Sequence, residues 1–184
     1  MSDSLPFTTC GWQNGNGSQL KKILNKLASL ETQITHQART TLVANLNTEG
    51  LIFDQALSLG ADLSLAACSL AGRETTFNLM VSRGLASGLL LGLHEVGEDL
   101  YNGAYLAMRG IMAGASLSDT NVCDIALAGS LAILKISEQH GANREMIIKK
   151  MAAGATDTNY ACTFDAEAIE RLFLDMFELI DQTH

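Results

Sequence analysis

The chain has 184 residues, 47% of them apolar and 17% charged, a balance that excludes a disordered polymer and suits one packed domain. Its formal net charge is -8 and its basic residues form no stripe, so a nucleic-acid partner is not expected. No apolar run approaches the roughly 20 residues of a membrane span. The first residues lack the basic start and apolar stretch of a secretory signal. These features point to a protein of a bacterial-type cytosol, cytoplasmic and without a membrane span. Cys10, Cys68, Cys123 and Cys162 lie far apart with no paired spacing, as buried small apolar residues would, rather than as a zinc or disulfide framework.

Aromatics are scarce at 5%, and the apolar mass is mostly Ala, Leu, Ile and Met. With a single proline at Pro6, these residues predict an all-α fold. Residues 1–18 are polar and glycine-rich and read as a flexible N-terminal arm, leaving 19–184 as a single helical domain. Ser18 is a fair N-cap for a helix whose apolar face is Leu20, Ile23, Leu24, Leu27, Leu30 and Ile34. That helix extends through Ala38, Leu42 and Leu46, with a break conceivable near Thr40–Thr41.

A local pattern then recurs. Helical segments run into Gly60–Ala61, Gly114–Ala115 and Gly154–Ala155, each followed by a Ser/Thr/Asp-rich turn and a new helix. Glycine at a helix C-terminus and small polar caps at the next start predict helix-turn-helix units. Between the first two units, Thr75 or Thr76 caps a helix from Phe77 to Arg83. Gly84, Gly88 and Gly92 recur every four residues after it, a spacing that lines up three small residues as a groove for a closely approaching helix. The alternative is that these glycines break the stretch into short pieces. Asp124–Gln139 is a further helix, stopped at His140–Gly141. A last helix from Asp165 shows Ile169, Leu172, Phe173, Met176, Phe177 and Ile180 on one face. The expected architecture is an irregular helical bundle or an array of helix-turn-helix units.

The stretch Leu127–Asn143, together with Ser58–Asp62 and the Gly-Ala turns at 114 and 154, resembles part of an ankyrin repeat. The resemblance implies stacked helix pairs and a protein-binding surface. The Thr-Pro-Leu-His start is absent, and the turn glycines at 60, 114 and 154 do not keep a steady period of about 33 residues. A generic helical array explains the same features through capping alone.

Two functional readings follow. The first is a helical protein-protein interaction module, an adaptor, chaperone or regulator with a protein partner. Gly84, Gly88 and Gly92 would form the binding groove; Met108 and Met112, with Met146 and Met151, form either an adaptable surface or simply part of the core. The second is a small helical enzyme or metal- or cofactor-binding protein built on His94, Glu95, Glu98 and Asp99, with Tyr101, Tyr105 or Arg109. On a helix His94 and Glu98 share a face, within reach of one metal or one proton. That stretch also reads as a plain solvated connection between helices. No zincin, P-loop or nucleophile-elbow motif is present, and no cofactor is predicted. A homodimer through the glycine groove or the terminal helix is compatible with either reading.

Overall fold

A computed structural model describes residues 16–49, 58, 60–64, 75–117, 121–157 and 166–182. Six long helices account for most of them: α1 (Asn16–Glu49), α2 (Thr75–Glu95), α3 (Leu100–Ser116), α4 (Val122–Gln139), α5 (Arg144–Thr156) and α6 (Ala166–Asp181). Residues 60–64 are also helical, and no strand occurs among the described residues. The fold is all-α. Most of the expected N-terminal arm, as well as Cys10, Cys68 and Cys162, lies outside the described residues.

α1 runs unbroken past Thr40–Thr41. The Thr40 hydroxyl donates to the His36 carbonyl at 2.8 Å, a bond that stays inside the helix instead of ending it. α2 likewise runs without interruption through Gly84, Gly88 and Gly92.

The two short turns show how the chain reverses. After α2, Gly97 takes φ +94°, its amide donates to His94 O and the Glu98 amide to Leu93 O. After α4, Gly141 takes φ +76°, its amide donates to Glu138 O and the Ala142 amide to Ser137 O. Both are Schellman motifs, in which glycine enters left-handed space without a Cβ penalty. The next residue but one caps the following helix: Asp99 receives the Tyr101 and Asn102 amides, and Asn143 receives that of Met146. Two helical hairpins of the same local design result, α2–α3 and α4–α5.

These hairpins sit side by side, α2 against α4 and α3 against α5. α1 joins the first layer on the other side of α2, and α6 packs on α5. Close contacts give the directions. Sites 84, 88 and 92 of α2 meet residues 31–34, 35–39 and 39–42 of α1 in the same order, so the two run parallel. Across the layers lie the core residues Leu42, Leu89, Leu93, Met108, Ile111, Ile133, Ile147 and Phe173, all at most 1% exposed. Burying each such side chain contributes about 1.5–3 kcal/mol. Ser82 crosses the first layer by donating to Ile125 O at 2.8 Å, and Ser64 donates to Ile111 O at 2.9 Å in the second.

The Gly-Ala pairs play a different part from the one their sequence suggests. Gly60, Gly114 and Gly154 lie within helical segments, and the only described glycines with positive φ are Gly97 and Gly141. Gly60 and Gly154 instead permit contact: a Cβ on Gly60 would lie 3.2 Å from Gly110 Cα, and one on Gly154 only 2.3 Å from Tyr105 O. At these two glycines the absent side chain matters more than the free backbone.

Candidate functional site

The segment from His94 to Asp99 is the α2–α3 turn, and its four predicted ligands take separate tasks. Glu95 accepts from Arg39 of α1 at 2.7 Å. Glu98 accepts from the Asn102 side-chain amide at 3.1 Å. Asp99 is the α3 N-cap. Among the described residues no three His, Cys, Asp or Glu side chains converge as a metal cluster. One continuous helix would have kept His94 and Glu98 on one face, but the reversal at Gly97 ends α2 between them. His94 has a neighbour that sequence spacing concealed. Its ring lies 5.2 Å, centre to centre, from that of His140, in the equivalent turn of the second hairpin.

Tyr101 and Tyr105, one helical turn apart on α3, both reach α5. The Asn143 amide donates to the Tyr101 hydroxyl at 3.1 Å, at the start of α5. At the other end, the Tyr105 hydroxyl donates to the Asp157 carboxylate. Arg109 donates to the Asp157 carbonyl at 2.7 Å, and its guanidinium lies 5.9 Å from the Tyr105 ring centre. Burial, and then the bond to Asp157, push the Tyr105 phenol above its ordinary value of 10.0, with Arg109 opposing. Asp157 is the α5 C-cap, so this cluster fastens the end of α5 to the middle of α3.

A folded-state phenol held above its ordinary value adds stability that is fully present below pH 10.0 and is lost as pH rises through the raised value. Tyr105→Phe is expected to cost about 0.5–1.5 kcal/mol at pH 7. It should also remove part of the stability lost at alkaline pH. Urea melts of both proteins from pH 7 to 11 check this: parallel stability profiles would show that the phenol adds no pH-dependent stability.

Of the residues predicted to bind a partner, all but Met146 lie inside the fold. Met108 and Met112 are 0% and 1% exposed, and Met151 is fully buried; Met146, at 46%, is on the surface. Gly84, Gly88 and Gly92 do line a groove approached closely by a helix, and that helix is α1 of the same chain. A Cβ on Gly88 would lie 2.5 Å from Thr35 O and 2.6 Å from the Ala38 methyl. α1 supplies the covering surface because Ala38 and the backbone at Thr35 stand where a larger residue would hold the helices apart.

An open depression of about 400 Å³ lies between α1 and the end of α2, lined by His36, Arg39, Thr40, Val43, Ala44 and Glu95. The Arg39–Glu95 ion pair forms part of its wall. No helix of the described residues is long and apolar enough to cross a membrane.

Comparison with known proteins gives no match to any family model, to any curated protein or to any solved structure.

Proposed function

We propose that this chain is a helical protein-protein interaction module, of the adaptor, chaperone or regulator kind. The observation that carries this reading is the use made of its polar side chains. Glu95, Asp99, Tyr101, Tyr105, Arg109 and Asp157 hold one helix to another or cap a helix end. Ser64 and Ser82 do the same from within the core. Such joints build a rigid frame, and a rigid frame presents a surface with little ordering entropy left to lose on association. The frame also leaves large apolar side chains outside: Leu117 at the end of α3, Met146 at the start of α5 and Leu172 on α6 are 52%, 46% and 48% exposed. All three belong to the second layer or to the helix packed on it. Anchors of this kind, few and apolar, dominate the energetics of protein interfaces.

Met146→Glu and Leu172→Glu, made separately in the full chain, test the proposal. Each should leave the circular dichroism melt within about 1 kcal/mol of the parent, because exposed positions tolerate change. At least one should abolish a fixed-stoichiometry complex recovered from the protein's own cells. If Leu117→Glu, Met146→Glu and Leu172→Glu all retained the same complex as the parent, these apolar side chains would not be its anchors.

A further inference from the structure

We infer that His94 and His140 form a two-imidazole clip for a borderline divalent cation such as zinc, joining the two hairpins at their turns. The inference is independent of the interaction reading and concerns a residue pair that spacing along the chain does not bring together.

The distance between the rings is the first argument. Zinc holds imidazole nitrogen at about 2.0–2.1 Å with angles near 109°, and the ring centre lies about 1.2 Å behind that nitrogen. Two rings on one tetrahedral ion therefore have centres about 5 Å apart. The observed separation is 5.2 Å, with the ring planes at 68° to one another. Two imidazoles on one ion need not be coplanar, so this inclination is compatible with shared coordination.

The second argument is electrostatic. His94 lies in the last turn of α2, and His140 is the C-cap of α4. Both rings thus stand at helix C-termini, where the backbone carbonyls carry the negative end of the helix dipole and favour a cation. Glu95, Glu98 and Glu138 add carboxylates to the same two turns, and the whole chain carries a net charge of -8. Arg39 and Arg144 balance two of these carboxylates, at 2.7 Å from Glu95 and 3.5 Å from Glu138.

The third argument is rigidity. Both histidines are carried by Schellman turns with glycine at the reversal, and both ring carriers are exposed to solvent, so an ion has access to a pair already placed. The protein supplies two ligands and water completes the coordination, which sets an affinity well below that of closed structural zinc sites with four protein ligands. Because one ligand comes from each hairpin, binding ties α2–α3 to α4–α5 and stabilises the folded state by mass action.

The test is isothermal titration of the untagged full chain with zinc chloride near pH 7.5, paired with thermal melts with and without the ion. The expected result is one zinc per chain and a higher melting temperature with zinc. His94→Ala and His140→Ala should each weaken binding at least tenfold and cancel the shift, while His36→Ala leaves both unchanged. Histidine NMR should show the His94 and His140 ring signals moving together on addition of zinc. Zinc binding in either alanine variant less than tenfold weaker than in the parent, or no saturable binding by the parent, would overturn the inference and leave the pair as an edge-to-face aromatic contact. Both alanine positions are exposed, so loss of folding does not confound the result.

Discussion

Gly88→Ala is expected to destabilise the protein, although the same change in an exposed helix stabilises by about 1 kcal/mol. The new methyl would meet Thr35 O at 2.5 Å and the Ala38 methyl at 2.6 Å, and one of these contacts is with backbone that cannot rotate away. α1 must then move off α2, opening the contacts of Ala38 and Leu42, both buried. Overpacking of this kind costs about 1–3 kcal/mol, and Gly88→Leu costs more. For a domain of this size each kcal/mol lowers Tm by roughly 2–4 °C. The neighbours grade the effect. At Gly84 the nearest atoms are Glu31 O and Ile34 Cβ, each at 2.9 Å, whereas at Gly92 the nearest is the flexible end of Leu42 at 3.0 Å. The expected order of loss is therefore Gly88, Gly84, Gly92. Denaturant melts of the three alanine variants measure it, and stabilisation at all three sites would mean that α1 does not lie in the groove.

Gly154→Ala is the second large effect. Its methyl would fall 2.3 Å from the Tyr105 carbonyl, the tightest approach of any described glycine. Relief requires α5 to withdraw from α3, and the ties at Asn143 and Asp157 hold the two helices together at either end. The expected loss is about 2–4 kcal/mol, combining steric displacement with weakened hydrogen bonds. Gly97→Ala is the control. Its site has φ +94° and open space around it, so only backbone strain is added, about 1 kcal/mol. Urea unfolding of both variants separates the two causes: equal losses at 154 and 97 would contradict the close approach of α3 and α5.

Much of the fold was legible in the residues because helical periodicity and capping are local. The extent of α4 and the stop at His140–Gly141 follow from three- and four-residue spacing and from one glycine; of the face expected for α6, Ile169, Phe173 and Phe177 are buried, whereas Leu172 is 48% exposed. The glycine row of α2 was legible as a closely approached surface, since three glycines in line in a helix need a packing reason. Which helix lies there was not legible, because that depends on a contact across about fifty residues of chain. The same limit hid the pairing of His94 with His140. It also made the methionines ambiguous: Met108 and Met146 look alike in sequence, yet one is fully buried and the other exposed. The Gly-Ala pairs were misread for a different reason. Glycine serves both as a left-handed stop and as a place for another backbone, and only the surrounding packing separates the two uses.

The central structural claim is that glycines and polar side chains of this chain are internal joints, with α1 seated on the α2 glycine row. The double variant Ala38→Gly, Gly88→Ala tests it most directly, because the first change removes the methyl that the second would strike. A denaturant double-mutant cycle on the monomeric protein should show the pair less destabilised than the sum of the single changes, by about 1 kcal/mol or more. Strict additivity, or a coupling seen only where two chains associate, would contradict the seating of α1 on α2 within one molecule.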